Sequence, residues 1–403
     1  MLFHWFRSMA KSFAREWQAI LHDQGILMFF VVLPLMYPVI YTLIYNPEVV
    51  EDLPIAVVDN DRTAASRQLA RDASAAPSIQ IYTYAHNMHQ AQELMAEGKV
   101  FGILEIPQGY GRNIGRMERA NATFYSQMSL LIRYRAFMGA MTDVQLKTID
   151  QIITDRAATL GAAGSALTDA TPYNNEAHML GDVQQGFASF IMPGILVLIL
   201  QQSMVLGICM LGGTSRERRR RNSLGIDPHM IAGAPASAVV WGRTFCYTVF
   251  YIPATIFLMR YICVLFGMPH FGNPLDYLLF ALPLVMSSAM FGQTLNYFVT
   301  DREASFMVVV FTSLVFLFLS GLTWPMYAMS DLWRAVGRAV PGVAGVEGFI
   351  RINSNAGTLH QNMAPWLWMW LLTVVYSVTA TAVLHIVDRR ARRRARSLPP
   401  LSA

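Results

Sequence analysis

Six long apolar stretches constrain the fold of this chain more than any other feature of its sequence. About 18 consecutive, mostly apolar residues are enough for a helix to cross the hydrocarbon core of a bilayer. Of the 403 residues, 54% are hydrophobic and only 14% are charged, so the chain can supply several such helices. We predict an α-helical membrane protein with six transmembrane helices, at residues 25–45, 187–211, 243–266, 277–299, 304–322 and 366–387.

The segment between the first two spans, residues 46–186, has the pattern of a soluble α/β domain. Short apolar runs at 55–58, 79–84 and 100–106 predict strands, and helical patterns separate them. Over residues 129–160 apolar side chains recur at spacings of four and three, which predicts a long helix that packs against a neighbour. The predicted fold is therefore six membrane helices with an α/β extracytoplasmic domain inserted between helices 1 and 2.

The distribution of charge predicts on which side of the membrane each segment lies. Residues 46–186 hold 16 acidic and 11 basic residues, whereas arginines crowd the loop 212–243 and the tail 388–403. Basic loops are retained on the cytoplasmic side during insertion. We therefore place both termini in the cytoplasm and the α/β domain outside, in a multi-pass protein of the cell inner membrane. An acidic soluble part beside a basic membrane part also argues against nucleic acid as a partner.

The N-terminal segment, residues 1–24, predicts a helix that lies in the membrane interface. Apolar residues such as Leu2 and Phe6 fall near one helical face, and basic residues such as Lys11 and Arg15 recur every four positions on another. This is the pattern of a helix whose basic face turns toward lipid headgroups. Membrane lipid is therefore an expected partner.

The loop 212–243 is the candidate contact for a soluble partner on the cytoplasmic side. Residues 216–221 are five arginines and one carboxylate, and the loop is longer than a turn between two spans requires. We expect a helical segment in its middle. The candidate contact residues are Arg216, Glu217, Arg218, Arg219, Ile231, Pro235 and Arg243.

Polar residues inside the spans are candidates for a substrate pathway, because they are costly against lipid. The candidates are Gln201, Gln202, Ser288 and Asn296. Ser288 and Asn296 share one face of the fourth span, which suits helix packing and a substrate surface alike. Arg260, toward the end of the third span, is expected to extend its side chain to the interface.

Residues 321–365 are too broken by proline and glycine to cross the membrane and too apolar for a soluble loop. They predict a hairpin of short helices that dips into the outer leaflet before the last span. A carboxylate and an arginine four residues apart within it predict an ion pair. The candidate outer-gate residues are Trp324, Pro325, Pro341, Glu347 and Arg351.

No constellation for catalysis or metal binding can be read from the sequence. The chain lacks the phosphate-binding pattern G-x-x-x-x-G-K-[ST], the zinc pattern H-E-x-x-H and the nucleophile pattern G-x-S-x-G. All three cysteines lie in apolar spans. Asp59 and Asp61, at the end of the first strand, are interpreted as part of a helix cap. We predict no catalytic residue, no metal site and no cofactor in this chain.

Four stretches, in order along almost the whole chain, carry a resemblance to a known family. They are Ile55-Ala-Val-Val-Asp-Asn-Asp61, Glu97-Gly-Lys-Val-Phe-Gly-Ile-Leu-Glu-Ile-Pro107, the basic loop through Pro235-Ala-Ser237 to Gly242-Arg243, and Gly321-Leu-Thr-Trp-Pro325 with Pro341 and Glu347. Together they resemble an ABC transporter permease of the type-2 exporter family, in the multidrug-efflux-like branch with a large ectodomain between its first two spans. One departure is that Glu217 precedes four arginines, where the family usually has E-x-E-x-G-T.

The resemblance implies a dimer of six-span subunits, either homodimeric or heterodimeric, with a separate ATPase subunit that holds ATP and Mg. It also implies export of an amphipathic or hydrophobic substrate, such as a drug or a lipid, and a periplasmic adaptor as a further partner. The loop 212–243 then becomes the ATPase contact. Two alternatives stay open: a mechanotransmission subunit that moves its ectodomain without transport, and a sensor or scaffold with a ligand-binding ectodomain.

Overall fold

The computed structural model describes residues 2–44, 50–116, 118–127, 131–160, 186–221 and 233–397. The chain forms two compact units. The helical unit comprises chiefly Met1–Asn46 and Ala188–Ala403, and the α/β unit comprises chiefly Pro47–Met179.

Among the described residues, six helices are long and apolar enough to cross a membrane, which agrees with the predicted number of spans. They are Gln24–Ile44, Phe187–Arg221, Ala236–Leu265, Pro274–Phe298, Arg302–Leu319 and His360–Val387. The second span extends ten residues beyond its predicted end, and the helix of the sixth continues to Ser397. Both extensions are rich in arginine, a good helix former that also interacts favourably with the negative end of the helix dipole.

Two spans contain a π-helical turn close to a proline. In the first span the turn Met28–Val32 directly precedes Leu33–Ile44, which contains two prolines. In the third span the turn Phe257–Tyr261 follows Pro253. Proline removes a backbone donor and its ring clashes with the preceding turn, so the helix readjusts locally.

The N-terminal helix, Leu2–His22, packs against the beginning of the third span. Its protein-facing side includes the buried Ser8 and Ser12 and the fully buried Ile20. The hydroxyl of Ser12 donates to the Val239 carbonyl at 3.1 Å. Apolar residues on another side, such as Phe3, stay exposed. The helix therefore packs on the protein through serines and Ile20 and leaves other apolar residues exposed toward lipid.

The α/β unit is built on a four-stranded sheet in the order β2-β1-β3-β4. The strands are β1 Leu53–Asp59, β2 Ile79–Tyr84, β3 Gly102–Ile106 and β4 Thr123–Ser126. β1 pairs in parallel with β2 and β3, and β4 runs antiparallel to β3. The connecting helices are Ala64–Ser74, Met88–Ala96 and Tyr110–Gly115. The first three strands and the first two of these helices follow the predicted pattern; β4 and the third helix were not predicted.

Of the Asp or Thr caps predicted after β1, the structure has Thr63, whose hydroxyl accepts from the N–H of Ser66 at 3.2 Å, while Asp59 and Asp61 stabilise the end of the strand. Asp59 accepts from the backbone N–H of Asp61 at 3.0 Å. Asp61 in turn accepts from the N–H groups of Gly109 and Gly111 at 2.7 and 2.8 Å, which joins β1 to the loop after β3. The hydroxyl of Thr63 and these glycine amides lower the pKa of Asp61. Among the described residues no cluster of His, Cys, Asp and Glu is arranged to hold a metal ion.

The long helix Leu131–Leu160 packs its first half onto the sheet of its own unit. Phe137 and Met141 are fully buried there. Gly102 of β3 makes the close approach possible, because a Cβ at that position would lie 2.6 Å from the Phe137 ring. Further along the helix, Ile149 is 46% exposed. The apolar seam that the spacing predicts is therefore formed inside the α/β unit in its first half.

Candidate functional site

The arginine-rich segment predicted as the start of a loop is the end of a helix. The second span runs unbroken to Arg221, and the third begins at Ala236 with Pro235 as its N-terminal cap residue. Residues 222–232, which include the candidate Ile231, lie outside the described residues. We call the part of the helical unit around residues 212–221 the basic end.

Arg216 holds the end of the fourth span. Its guanidinium donates to the side-chain oxygen of Asn296 at 3.1 Å and also to the Asn296 backbone carbonyl. Asn296 directly follows the α-helix that ends at Leu295, and its carbonyl also accepts from the N–H of Val299 at 3.2 Å. The cation of Arg216 therefore lies at a helix C-terminus, where it interacts favourably with the dipole. Asn296, a predicted pathway residue, lies in this junction, and its pathway role stays a prediction.

Glu217, the next residue, holds the beginning of the fifth span. Its Oε1 accepts from the backbone N–H of Arg302 at 3.0 Å. Arg302 is the first residue of that helix, and Asp301 before it caps the N–H of Ala304 at 2.8 Å. A carboxylate near a helix N-terminus satisfies free N–H groups and interacts favourably with the dipole. The single acidic residue among the arginines is thus a cap for another span.

Two glycines let the second span approach these helix ends closely. A Cβ on Gly213 would lie 2.7 Å from the backbone nitrogen of Arg302. A Cβ on Gly212 would collide with the side chain of Asn296. Without side chains at these two positions, Arg216 and Glu217 can reach backbone atoms of the fourth and fifth spans.

Arg243, another candidate contact residue, is paired with the N-terminal helix. Its Nε lies 3.1 Å from Oε2 of Glu16, and the hydroxyl of Tyr247 donates to the other carboxylate oxygen. The Glu16 side chain is only 12% exposed. Nearby, Trp5 donates to the Ser237 hydroxyl at 3.0 Å. The N-terminal helix and the third span are therefore joined by a largely buried charge pair.

A second ion pair connects the first and fifth spans at the same end. Arg302 Nη2 lies 2.7 Å from Oδ1 of Asp23. The same carboxylate oxygen caps the start of the first span by accepting from the N–H groups of Gly25 and Ile26 at 3.1 and 3.2 Å. Arg302 thus takes part in two junctions, through its backbone with Glu217 and through its side chain with Asp23.

These contacts give the basic end a specific mechanical arrangement. Side chains on the last turns of the second span bond the end of the fourth span and the start of the fifth span. The fifth span in turn forms an ion pair with the start of the first span. The N-terminal helix is tied to the third span by Glu16. A displacement of the helix end at residues 216–221 would therefore be transmitted to several spans at once. The remaining candidates Arg218 and Arg219 line a cavity beside these junctions. Arg220 and Arg221, which were not candidates, are exposed.

The other pathway candidates lie in the packed interior of the helical unit. Gln201 is buried, and its side-chain oxygen accepts from the N–H of Gly342. Within the described residues, the Nε2 atom of Gln201, both side-chain polar atoms of Gln202 and the hydroxyl of Ser288 are buried without a hydrogen-bond partner. One turn after Ser288, a Cβ on Gly292 would come within 3.1 Å of Ile208, so that face of the fourth span packs on the second.

The predicted outer hairpin has the expected form. The fifth span ends at Leu319, and two short helices follow, Asp331–Arg338 and Pro341–Ser354. Pro341 is the first residue of the second short helix, and Pro325 precedes a single 3₁₀ turn. Trp324 is 59% exposed. The predicted ion pair is confirmed, since Arg351 Nη2 lies 2.5 Å from Oε1 of Glu347, with both side chains about half exposed.

A polar network at the far end of the third span was missed by sequence reasoning. Arg260, which was expected to extend to the interface, bonds Nε2 of His270 at 2.7 Å. Because arginine can only donate, Nε2 accepts and the proton lies on Nδ1, which donates to Asn353 at 2.7 Å. The Tyr277 hydroxyl donates to the same Asn353 oxygen at 3.1 Å. Burial lowers the pKa of His270, and the Arg260 charge acts in the same direction, against the Asn353 hydrogen bond.

The network joins the third and fourth spans to the second short helix of the hairpin. Its members come from four separate segments, so no local spacing predicts it. The sequence contained a weak signal for it, because Arg260 and Asn353 are polar residues in apolar surroundings, and buried polar groups are normally hydrogen-bonded.

Six spans, a separate α/β unit and helix ends joined by partly buried charges define a multi-pass membrane protein whose spans are connected at one end. The model of the ABC-2 family transporter protein matches residues 25–382. The chain therefore belongs to the ABC-2 transporter family, which consists of membrane transport subunits, and membership implies an ABC ATPase partner. No significant match was found among curated proteins.

Proposed function

We propose that this chain is the permease subunit of an ATP-driven ABC exporter that moves an amphipathic or hydrophobic substrate outward. ATP and Mg are held by the separate ATPase subunit, and a second permease subunit completes the assembly. The basic end lies in the cytoplasm with both termini, by the positive-inside rule, in the cell inner membrane. The α/β unit then lies outside as an ectodomain inserted between helices 1 and 2, where a periplasmic adaptor has access to it.

The observation that carries this proposal is the pair of neighbouring residues Arg216 and Glu217. One holds the end of the fourth span and the other the start of the fifth. A family of transport subunits driven by an external ATPase needs a device that passes movement from the cytoplasm to the spans. These two residues supply such a device, since they lie on the helix end that leads into the segment 222–235.

This proposal changes the role that the sequence suggests for three candidate residues. Arg216, Glu217 and Arg243 are transmission joints inside the permease rather than direct contacts with the ATPase. Direct contact falls to the exposed part of the helix end, with Arg220 and Arg221, and to the segment that continues through Ile231 toward Pro235.

The pathway and the outer gate complete the proposed cycle. Gln201, Gln202 and Ser288 offer buried polar atoms that have no partner in the described part of the chain, and such atoms suit polar groups of an amphipathic substrate. Gln201 also bonds Gly342 of the hairpin helix, so a substrate at this glutamine would affect the proposed gate directly. Gate residues Trp324 and Glu347 remain solvent- or lipid-accessible for contact with the second subunit.

The test uses the full-length permease reconstituted in vesicles with its ATPase subunit and a fluorescent amphipathic dye. We expect Glu217→Ala to lower the amount of dye moved per ATP hydrolysed by roughly tenfold, because a charge-assisted hydrogen bond contributes about 1.5–3 kcal/mol. Glu303→Ala is the matched control, since Glu303 is an exposed carboxylate next to the same helix start. Unchanged coupling in Glu217→Ala would refute the transmission role.

The same system separates the proposed function from its alternatives. Co-purification of an ATPase together with ATP-dependent dye movement supports the exporter. An ATPase that binds and hydrolyses ATP without moving any amphipathic probe would instead indicate a mechanotransmission subunit. Failure of any ATPase to bind the purified permease would indicate a sensor or scaffold.

A further inference from the structure

A cavity of about 890 Å³ lies at the basic end, beside the junctions described above. Its walls come from the N-terminal helix, the last turns of the second span, the start of the third and the ends of the fourth and sixth. This volume falls in the range of about 300–1,000 Å³ that is typical of ligand sites. Six arginines line it: Arg15, Arg216, Arg218, Arg219, Arg243 and Arg302.

The positive charge of the cavity is only partly compensated. Among the described residues, two carboxylates line it, Glu16 and Asp23, and they bind Arg243 and Arg302 respectively. Arg216 is engaged by the neutral Asn296. The walls therefore carry a clear excess of cationic groups in a partly enclosed space, where an anion would be strongly favoured.

Within the described part of the chain, Arg218 and Arg219 are cavity cations for which neither a carboxylate nor a neutral acceptor such as Asn296 is found. Neither makes an ion pair within the described part of the chain. The Nε atom of Arg218 is shielded from solvent and has no hydrogen-bond partner among the described residues. Buried donors of this kind are normally satisfied, so a missing partner points to a bound acceptor. The planar guanidinium fork matches the oxygens of a phosphate group.

The position of the cavity indicates where such a phosphate comes from. The N-terminal helix presents Ser12 and Glu16 to the cavity, while Leu2, Phe3 and Phe6 on its outside are exposed and apolar. An amphipathic helix of this kind lies at the boundary of headgroups and acyl chains. A cavity beneath it is therefore at headgroup depth, and basic pockets between membrane helices at that depth bind anionic lipid headgroups.

We propose that this cavity binds the phosphate of an anionic phospholipid headgroup through Arg218 and Arg219. The bound lipid connects the last turns of the second span with the N-terminal helix. The proposal requires neither ATP hydrolysis nor a transported substrate, so it stands or falls independently of the proposed function.

The test measures lipid binding to the purified full-length protein by native mass spectrometry. Phosphatidylglycerol is titrated against the wild type and against the double variant Arg218→Gln/Arg219→Gln. We expect the double variant to bind roughly 30-fold more weakly, because each arginine near a lipid phosphate contributes about 1 kcal/mol. The zwitterionic phosphatidylcholine should bind weakly to both proteins.

The matched control is Arg220→Gln/Arg221→Gln, which removes the same charge from the same helix at exposed positions outside the cavity. It should bind phosphatidylglycerol like the wild type. An equal loss in both double variants would overturn the proposal, since it would show attraction to net charge alone. If inorganic phosphate at millimolar concentration displaces the lipid completely, the site is one for a free anion and the headgroup assignment is wrong.

A second variant covers the case in which Arg218→Gln/Arg219→Gln does not fold. Arg218→Lys/Arg219→Lys keeps the charge and the topology signal but lacks the planar fork. We expect it to bind phosphatidylglycerol about threefold more weakly than the wild type, and phosphatidylcholine no better. Wild-type affinity in the lysine variant, together with equal binding of the two lipids, would contradict a built phosphate site.

Discussion

The basic end and the far end of the helical unit both contain arginine in a polar junction, but the partners differ. At the basic end Arg243 and Arg302 face carboxylates, Glu16 and Asp23. At the far end Arg260 faces the neutral imidazole of His270. A charge pair that is partly removed from water depends on both of its members, because loss of one leaves a poorly solvated charge. The hydrogen bond from Arg260 to His270 instead persists only while the imidazole stays neutral.

This difference matters for how each end can move. The basic end consists of strong, charge-assisted contacts between different spans, which suits a part that transmits force. The far end is a chain of hydrogen bonds through His270, Tyr277 and Asn353 that connects two spans to the hairpin. Because no charge pair has to be broken, this network of hydrogen bonds can rearrange at a lower free-energy cost, which suits a part that opens and closes.

The largest expected effect comes from breaking the buried pair at the basic end. Glu16→Ala should lower the free energy of unfolding by about 2–3 kcal/mol, because it deprives Arg243 and Tyr247 of a carboxylate that is only 12% exposed. Glu347→Ala should cost less than about 1 kcal/mol, since that ion pair is about half exposed on both sides. Equilibrium unfolding in mixed micelles measures both. Equal losses would show that burial does not distinguish the two pairs.

A smaller effect is expected from adding a methyl group at each end. Gly213→Ala should destabilise the protein by about 1–3 kcal/mol, because its Cβ would lie 2.7 Å from the backbone of Arg302, which cannot move away independently. Gly337→Ala, in the first short helix of the hairpin, meets no atom closer than 3.4 Å and should be neutral or stabilising by up to about 1 kcal/mol. The same unfolding measurement applies. A tolerated Gly213→Ala would mean that the second span does not need this close approach.

The smallest expected effect is a pH dependence of the free energy of unfolding that comes from His270 at the far end. The pKa of His270 lies below its ordinary value of 6.5, so the unfolded chain binds the proton more readily than the folded protein. The stability that the neutral imidazole provides is complete above pH 6.5 and is lost as the pH falls toward the folded-state pKa. Protonation removes the Nε2 acceptor from Arg260. His270→Gln, which cannot titrate, should give a flatter stability curve between pH 7 and 5; identical curves would exclude the role of His270.

Much of the fold follows from local sequence pattern. The six spans are recognisable because hydrophobic length is a property of a continuous segment. The strands β1 to β3 are recognisable because short apolar runs stop at turn residues. β4 was missed because it has four residues, of which none is buried. The second span was predicted too short, since arginine is excluded from the hydrocarbon core yet extends a helix without difficulty.

The candidate site was predicted less completely, and its residues show why. The charge of residues 216–221 singled them out as a candidate contact for the ATPase, and that role stays a prediction. Their contacts within the chain could not be predicted, because Glu217 and Arg216 look like surface charges until the ends of other spans are placed against them. Arg260 shows the same problem at the far end. The Glu347–Arg351 pair could be predicted, because partners four apart on one helix are neighbours in any fold.

The sequence by itself determined the membrane character of this protein, its number of spans, the α/β pattern between the first two and the crowding of arginine in two segments. These follow from hydrophobic length, periodicity and composition, which are set by residues near one another in the chain. Only the tertiary structure decided which charges meet. Arg216 bonds Asn296, 80 positions away, and Glu217 bonds Arg302, 85 positions away. Arg243 bonds Glu16, 227 positions away. The physical reason is that such pairs depend on how whole helices pack, and helix packing brings together residues that no local pattern relates.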